Sequence, residues 1–306
     1  MVVRELSTKG FRNLTAGDFQ PGPGVNILHG DNAQGKTNLL EAIWLFTGGR
    51  SFRGARDGEL PSFGGEGAHL SMRFHAGDRE QEAALRIERR RTATLNGLDL
   101  PAASKLAGIF CAVVFSPAHL SLIKDGPEER RRFLDAAYCQ LRPGYIASLS
   151  EYSRTLAQRN ALLKDIRFSA DLIPMLDAFD VQAAALADEI VRRRAAYLRR
   201  LSPIVSEIYQ QMTKSREQLR LSYKASIRGT REEILAALSQ NRKEDLLNGY
   251  SGIGPHRDDI EFFIDGRGVR LFGSRGQRRS CVICLKLAEQ EILKQETGEY
   301  PILLLD

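Results

Sequence analysis

Residues 30–37 read Gly-Asp-Asn-Ala-Gln-Gly-Lys-Thr, and this short stretch decides the fold. It satisfies the spacing Gly-x-x-x-x-Gly-Lys-Ser/Thr of a phosphate-binding loop, or P-loop, whose glycines let backbone N–H groups converge on phosphate oxygens at a helix N-terminus. In this pattern Lys36 supplies a positive charge for the β- and γ-phosphates, and the hydroxyl of Thr37 is placed to bind Mg²⁺. The residues predicted to surround the phosphates are Gly30, Asp31, Asn32, Ala33, Gln34, Gly35, Lys36 and Thr37.

The segments on either side of this loop fit the same interpretation. Residues 25–29 are predicted to form a strand that runs directly into the loop, and residues 37–46 to form a helix. That helix has one broad apolar face, with Glu41 left for the other side; the apolar residues are Leu39, Leu40, Ile43, Trp44 and Phe46. A glycine loop that merely joins a strand to a helix is the alternative, which the order of strand, loop and helix disfavours.

The composition limits the classes of protein to which the chain can belong. It has 306 residues, 42% of them hydrophobic and 27% charged, which is typical of a soluble globular protein of about two domains. No apolar stretch reaches the ~18 residues of a membrane span, the N-terminus has no secretory signal, and four cysteines are too few for a disulfide scaffold. A cytoplasmic protein with no membrane partner is therefore expected. The net charge of +6 permits nucleic-acid or phosphate partners without demonstrating them.

Along the rest of the chain, the predicted secondary structure changes from strands to helices and then back to strands. Residues 2–8 are predicted to form an edge strand, and residues 69–100 a set of short antiparallel strands in which an Asn-Gly pair marks a tight hairpin. From residue 145 to about 215, apolar residues recur at helical spacing, which predicts two or three helices folded against each other as an arm. Further strands are expected at 218–223 and 260–264. The pattern predicts an α/β fold with an antiparallel β subdomain and a helical arm.

The last six residues, 301–306, read Pro-Ile-Leu-Leu-Leu-Asp and supply a second half for the phosphate site. They are predicted to form a short buried strand that ends on an acid, because the metal ion beside a P-loop also needs a carboxylate from a neighbouring strand. Thr37 and Asp306 are therefore the predicted metal ligands. An ordinary core strand with a terminal acid is the alternative, which the nearby P-loop motif disfavours.

Residues 273–280, Gly-Ser-Arg-Gly-Gln-Arg-Arg-Ser, open another helix with an unusually basic start. Cations are disfavoured at the positive end of the helix dipole by ~0.3–1 kcal/mol each, and a bound anion would reverse that sign. Ser274 as an N-cap, together with the backbone N–H groups of Gly276 and Gln277, predicts a second phosphate site. A solvated basic face is the alternative.

Other arginines, two cysteines and one histidine give weaker signals. The arginine triplet at 130–132 could contact DNA phosphates in a salt-dependent and sequence-independent way, whereas a solvated helix face is the alternative. Cys281 and Cys284 are interpreted as small residues on a buried helix face rather than as metal ligands. His256 is interpreted as a structural residue.

The Ser-x-Gly-Gln stretch before a helix is similar to the signature motif of ABC-type ATPases, in which the serine and glycine contact the γ-phosphate held by the P-loop of a second subunit. Five further segments narrow the match; they are FRNL at 11–14, GDNAQGKTNLLEAI at 30–43, FSPAHLSLIKDGPEERRRFLD at 115–135, RN at 159–160 and GPHRDDIEFFIDG at 254–266. In order and spacing, over nearly the whole chain, these segments resemble the RecF family of bacterial recombination mediators.

The resemblance implies a Rad50-like ABC ATPase head with a helical arm. Its expected divisions are the first part of the head at 1–144, the arm at 145–216 and the second part of the head at 217–306. It also implies ATP-dependent homodimerisation, binding to single- and double-stranded DNA at gaps, and slow DNA-stimulated ATP hydrolysis. The family acts in recombinational repair, replication restart and the SOS response, where it cooperates with RecO and RecR and thereby helps to load RecA.

The same resemblance assigns roles to individual residues. Residues 30–37 correspond to the Walker A motif, Ser274, Gly276 and Gln277 to the signature, and Asp306 to the Walker B acid that binds the metal. Arg12 and Asn13 resemble residues near the α-phosphate and ribose of the nucleotide. The DNA-binding candidates are Arg130, Arg131 and Arg132. ATP and Mg²⁺ are the implied cofactors.

The chain departs from the family pattern in two places. Arginines stand at 275 and 278, where a neutral residue is expected at one or both positions. The family also continues after Asp306 with a second acid, the catalytic base. The sequence ends at Walker B, before that acid. The catalytic residue is therefore unknown, and impaired ATP hydrolysis is expected. An ABC-type ATPase subunit of another machine and a P-loop small-molecule kinase are the alternatives.

Overall fold

Antiparallel strands and long helices make up most of the chain, whose computed structural model describes residues 1–306. None of its helices has the length and apolar character needed to cross a membrane. The chain divides into two compact units. The first unit comprises Met1–His119, Cys139–Pro143 and Leu285–Asp306, and the second comprises Leu120–Tyr138 and Gly144–Cys284.

Eleven strands and eight α-helices are arranged along the chain. The strands are β1 (Val2–Lys9), β2 (Gly17–Phe19), β3 (Ala68–Ala76), β4 (Arg79–Ile87), β5 (Arg91–Leu95), β6 (Leu98–Asp99), β7 (Ala112–Phe115), β8 (Leu219–Lys224), β9 (Asp259–Ile264), β10 (Arg267–Gly268) and β11 (Ile302–Leu305). The helices are α1 (Lys36–Leu45), α2 (Ser121–Lys124), α3 (Pro127–Leu141), α4 (Tyr145–Asp165), α5 (Leu176–Thr213), α6 (Arg231–Asn248), α7 (Val269–Phe272) and α8 (Arg275–Thr297).

The first unit contains a six-stranded antiparallel sheet with the order β2-β1-β3-β4-β5-β6. Alternate residues of β3 are buried, as the period of two in a half-buried strand requires. Asn96 and Gly97 both have positive φ, at 50° and 79°, which is the backbone of a type I′ hairpin between β5 and β6. The antiparallel strands predicted over 69–100 are thereby confirmed. The expectation that the first strand lies at an edge is wrong, because β1 pairs with β2 on one side and β3 on the other.

The apolar face predicted for the helix after the P-loop packs into the core of this unit. Trp44, Leu45 and Phe46 are almost fully buried there, in the same cluster as Phe74 and Phe110. The rings of Phe74 and Phe110 lie edge to face with centroids 5.2 Å apart. Because each such side chain stabilises the fold by ~1.5–3 kcal/mol when buried, this face anchors α1 and with it the end of the P-loop.

The strand predicted at 25–29 is absent. The segment runs to the P-loop without pairing to any strand, and the side chains of Val25 and Ile27 are 91% and 82% exposed. A β-strand needs a neighbour to satisfy its backbone N–H and C=O groups, and the described residues provide none here. The apolar pattern indicated strand propensity correctly but could not show whether a partner was present.

A separate parallel pair, β7 and β11, carries the C-terminal residues. Its register runs from Ile302 opposite Ala112 to Leu305 opposite Phe115. The expectation that β11 is a buried strand is only partly met, because Leu304 is buried while Leu303 and Leu305 are 41% and 67% exposed. With β7 as its only neighbour, β11 leaves one edge uncovered.

The second unit combines helices with a three-stranded antiparallel sheet of order β10-β9-β8. Helices α4 and α5 pack against each other, and α6 packs on α5, which agrees with the helices predicted over 145–215. The strands predicted at 218–223 and 260–264 are confirmed as β8 and β9, which pair along their whole length.

A buried ion network ties the helices of the second unit together. Arg159 donates from Nε to Asp180 Oδ1 at 2.6 Å and from Nη1 to Asp245 Oδ2 at 2.7 Å, so it joins α4 to α5 and α6. Nη1 also donates to Ser251 Oγ at 2.7 Å, and Arg242 donates to the second oxygen of Asp180 at 2.6 Å. The side chains of Arg159 and of both aspartates are fully buried or nearly so. A low-dielectric surrounding makes each of these charges dependent on its partners.

Candidate functional site

Positive φ angles shape the P-loop where it enters α1. Gly30, Ala33 and Gly35 have φ of 143°, 67° and 98°, and α1 begins at the residue after Gly35. A Cβ atom at Gly35 would lie 2.6 Å from the side chain of Leu14 and 2.9 Å from Oδ1 of Asn13, so both the backbone angle and the space require glycine. The first N–H groups of α1 are therefore left pointing out of the helix end, where they can donate to an anion.

Lys36 lies across the P-loop to which it belongs. Its ammonium group donates to the carbonyl oxygens of Gly30 and Asp31, at 2.8 and 2.6 Å. These carbonyls orient the charge without neutralising it. A positive charge is thereby held next to the free end of α1, in the position that phosphate groups would need.

Asp306 is hydrogen-bonded to the hydroxyl group at the start of α1. Thr37 Oγ1 donates to Asp306 Oδ1 at 2.5 Å, although the two residues are 269 positions apart in the chain. The parallel pairing of β11 with β7 continues to the backbone N–H of Asp306, which donates to the carbonyl of Phe115 at 2.8 Å. The structure therefore brings the two predicted metal ligands together.

Ser116 is a third member of this group that the sequence analysis missed. It follows β7 directly, and its hydroxyl donates to Oδ2 of Asp306 at 3.1 Å. Both oxygens of the Asp306 carboxylate are thus oriented by hydroxyl groups. A hydroxyl residue at the end of an apolar strand could have been found if the parallel pairing of β7 with β11 had been known.

Asn13 is hydrogen-bonded to the P-loop, and Arg12 precedes it in the chain. The amide nitrogen of Asn13 donates to the carbonyl of Ala33 at 2.6 Å, and its oxygen accepts from Asn38 Nδ2 at 2.6 Å. Arg12 forms two hydrogen bonds of 3.0 Å with the carboxylate of Glu41. This fork-to-fork pair fixes the guanidinium plane next to the loop.

Glu41 corrects the expectation that it lies on the exposed side of α1. Its side chain is 0% exposed. In addition to Arg12 it accepts a short hydrogen bond from Ser51, and a guanidinium nitrogen of Arg53 lies 3.7 Å from its carboxylate. Helical periodicity left Glu41 off the apolar face of α1, and it could not show that partners outside the helix satisfy the buried charge.

A cleft of about 1170 Å³ opens beside these residues in the first unit. It is lined by charged, polar and aromatic groups, and the side chain of Phe63 stands fully exposed within it. Its lining includes the guanidinium groups of four arginines and the carboxylates of Glu59, Glu66 and Glu88, and the exposed ring offers a surface for stacking. The arginines and asparagines that line it are Arg12, Asn13, Asn38, Arg53, Arg89 and Arg90.

The predicted signature segment lies in the second unit and forms a reciprocal cap on α8. Ser274 Oγ accepts from the N–H of Gln277 at 3.1 Å, and Gln277 Oε1 accepts from the N–H of Ser274 at 2.8 Å. Arg278 donates to the carbonyls of Val269 and Arg270, at 3.4 and 3.1 Å. One of the arginines that crowd this helix start is therefore used to cover the carbonyl groups of α7.

The structure separates the three arginines proposed for DNA binding. Arg130 is buried, forms a bidentate pair with Asp259 at 2.6 and 3.0 Å and donates to two carbonyl groups, so its guanidinium group is used within the fold. Arg131 donates to the carbonyl of Asp258 at 2.7 Å. Arg132 is exposed and pairs with two glutamates of its own helix. Consecutive helix positions point in different directions, which is why one triplet serves three purposes.

The histidine is half-buried, and the two cysteines are fully buried. His256 Nδ1 lies 2.8 Å from the hydroxyl of Tyr152, and Nε2 lies 3.0 Å from the carbonyl of Ser251. Burial lowers the pKa of His256 to about 4, which favours the neutral ring. Cys281 and Cys284 are fully buried on α8, and burial raises the pKa of Cys284 to about 11.

The chain is similar to curated proteins along its whole length. A family profile described as an AAA domain matches residues 5–246. The protein named "DNA replication and repair protein RecF" from Lachnoclostridium phytofermentans is 37% identical over 308 residues, which cover 100% of this chain and 85% of that protein. The chain belongs to the RecF family. The resemblance found in the sequence is thereby confirmed.

Solved structures of RecF have the same fold. The "Structure of the recombination mediator protein RecF-ATP in RecFOR pathway" matches with a TM-score of 0.94 and 35% identity, covering 100% of this chain and 84% of that one. The Smc head domain of Pyrococcus furiosus matches at a TM-score of 0.50 and 16% identity, a likeness of fold alone. The predicted fold class, a P-loop ATPase head of the ABC and Rad50 type with an antiparallel sheet and long helices, is confirmed for this RecF-family chain.

Proposed function

We propose that this RecF-family chain is an ATP-switched DNA-repair protein that binds ATP at the P-loop, dimerises and then binds DNA. The observation that supports it most directly is the hydrogen bond between Thr37 and Asp306, which joins the P-loop to the end of β11. Relatives of the chain are named as DNA replication and repair proteins, and a RecF structure is titled as an ATP complex.

The groups around the P-loop suit a nucleoside triphosphate. Lys36 and the N-terminus of α1 supply positive charge and N–H donors for the β- and γ-phosphates. Arg12 and Asn13 lie next to the loop, where they could reach the α-phosphate and ribose. The adjoining cleft has room for the rest of the nucleotide, with the exposed ring of Phe63 available for the base.

The oxygen atoms near Thr37 fit Mg²⁺. This cation prefers oxygen ligands and keeps several of its positions for water and substrate phosphates, so one hydroxyl and one carboxylate from the protein are sufficient. Thr37 and Asp306 would hold it, and the hydroxyl of Ser116 fixes the orientation of the carboxylate. When bound, the ion would neutralise charge on the β- and γ-phosphate oxygens.

The signature segment is proposed to act on a second copy of the chain. Ser274, Gly276 and Gln277 would contact the γ-phosphate of the nucleotide held by the partner subunit, so ATP would lie between two heads. The division of the chain into head residues 1–144 and 217–306 and arm residues 145–216 stays a prediction.

ATP with Mg²⁺ is expected to convert wild-type monomer to dimer, measured by sedimentation velocity. Thr37→Val should bind ATP about 10-fold more weakly and stay monomeric at ATP concentrations that saturate wild type. Valine has the shape of threonine but lacks the hydroxyl oxygen, so the variant loses one contact with the proposed metal ion. Thr15→Val, at an exposed threonine outside the loop, is the matched control. A wild-type protein that binds ATP and stays monomeric at every concentration contradicts the proposal.

DNA binding is proposed to rest on phosphate contacts at single- and double-stranded DNA around gaps. Such contacts release counterions, so the dissociation constant of the ATP-bound protein should rise at least about 10-fold between 50 and 200 mM salt, as measured by fluorescence anisotropy. Binding that does not respond to salt would contradict this.

Arg131 and Arg132 stay candidates for contact with DNA. RecO, RecR and, indirectly, RecA are the proposed partners in repair and the SOS response.

A further inference from the structure

A short chain of hydrogen bonds connects the last turns of the long helix α5 to the start of α8. Tyr209 donates from its hydroxyl to Glu217 Oε2 at 2.6 Å, and Gln277 Nε2 donates to Glu217 Oε1 at 2.8 Å. One carboxylate therefore joins two helices and uses both of its oxygens to do so. All three residues belong to the second unit.

The position of Glu217 is fixed from the α5 side. Tyr209 is fully buried in the penultimate turn of α5, where burial and the neighbouring carboxylate of Glu217 both raise the pKa of its hydroxyl, so it remains a donor. The hydroxyl of Thr213 contacts the carbonyl of Tyr209 at 2.9 Å and that of Glu217 at 3.4 Å. Lys214 and Ser215 turn the chain with φ of 53° and 59°. These contacts and this turn hold Glu217 close to the end of α5.

Gln277 uses both ends of its side-chain amide. Its oxygen accepts from the N–H of Ser274 at 2.8 Å, while its nitrogen faces Glu217. An amide can flip by 180° and exchange its donor and acceptor ends, but a carboxylate only accepts hydrogen bonds. Glu217 therefore allows one orientation alone, the orientation in which Gln277 can close the reciprocal cap with Ser274.

We propose that Glu217 is a positioning residue for the signature segment 274–277 and acts through the amide of Gln277. This rests on the proposed function, in which the signature of one protomer contacts the nucleotide of the other. Because the effect is exerted in trans, loss of Glu217 weakens the ATP-bound dimer and leaves ATP binding at the P-loop of the same chain unchanged.

Three variants test this role against a control. Glu217→Ala removes both acceptors, whereas Glu217→Gln keeps an acceptor for Gln277 and a donor for the oxygen of Tyr209, so it should rescue the alanine defect. Tyr209→Phe keeps the hydrogen bond between Glu217 and Gln277, and its defect should be intermediate between those of Glu217→Ala and Glu217→Gln. Glu207→Ala, at an exposed glutamate on α5, is the matched control. Thermal unfolding checks that each variant is folded.

Amide hydrogen exchange, measured without nucleotide, reports directly on whether the signature segment 274–277 is held in place. The N–H of Gln277 should exchange about 10-fold faster in Glu217→Ala than in wild type, and at the wild-type rate in Glu217→Gln and Glu207→Ala. At saturating ATP the dimer dissociation constant of Glu217→Ala should rise about 10-fold, with an unchanged ATP dissociation constant for the monomer.

Two results separate failure of this inference from failure of the proposed function. Unchanged exchange at 274–280 in Glu217→Ala, or the same change in Glu207→Ala, overturns the role of Glu217. A wild-type protein that does not dimerise with ATP overturns the proposed function, and the exchange rates still decide whether Glu217 positions the segment.

Discussion

Replacing Lys36 with alanine is expected to weaken ATP binding about 100-fold. The ammonium group is held within the P-loop by two carbonyl oxygens and carries the positive charge that phosphate oxygens would meet. Lys36 is proposed to donate one hydrogen bond to the β-phosphate and one to the γ-phosphate. Hydrogen bonds to charged groups contribute ~1.5–3 kcal/mol each, so the loss of both corresponds to at least two orders of magnitude in the ATP dissociation constant. Isothermal titration calorimetry with ATP and Mg²⁺ measures the change.

The control for this variant is Lys105→Ala, at an exposed lysine of the same unit. It should bind ATP as the wild type does. Lys36→Ala should also keep its melting temperature in the absence of nucleotide, because the ammonium group of Lys36 donates to carbonyls of its own loop and joins no other segment to it. Wild-type affinity in Lys36→Ala would show that the nucleotide lies elsewhere and would remove the basis of the proposed site.

Replacing Arg159 with leucine is expected to lower the free energy of unfolding by about 4 kcal/mol. Arg159 is the cation between the buried carboxylates of Asp180 and Asp245, and it also holds Ser251. Its removal leaves Asp245 without a cationic partner and Asp180 with Arg242 alone. Breaking a buried ion pair by deleting one partner costs ~3–5 kcal/mol, because the remaining charge is not compensated.

Urea unfolding followed by far-ultraviolet circular dichroism tests this prediction. Arg154→Leu, at an exposed arginine of the same helix, is the matched control and should change stability by less than ~0.5 kcal/mol. Equal stabilities for the two variants would mean that the network does not contribute to folding. The result concerns the second unit and does not depend on nucleotide.

The sequence predicted the parts of the site that local chemistry determines. The glycines of the P-loop, the helix after it and the acid at 306 follow from spacing and from what a phosphate and a metal ion require. The cap formed by Ser274 also follows from residue type, because a hydroxyl before a helix and an amide three residues later form such a cap on many helices.

What the sequence could not provide depends on residues that are distant in the chain. The burial of Glu41 and Arg130 was not predicted, because residue type and periodicity describe average exposure, whereas each of these side chains is paired with a residue of opposite charge from another segment. The strand at 25–29 is missing for a related reason. Strand formation depends on a neighbour, and a neighbour is a property of topology rather than of local pattern.

The bond between Thr37 and Asp306 has a consequence for how the protein is made. It closes a loop of 269 positions, and bringing the ends of so long a chain together costs roughly 5 kcal/mol of entropy before any ligand can use both groups. During synthesis the P-loop leaves the ribosome long before Asp306 does, so a nascent chain has the loop without its carboxylate. Competence for the proposed metal-dependent nucleotide binding therefore requires synthesis to have passed residue 306, and a ligand that bridges Thr37 and Asp306 binds only chains in which both groups are present.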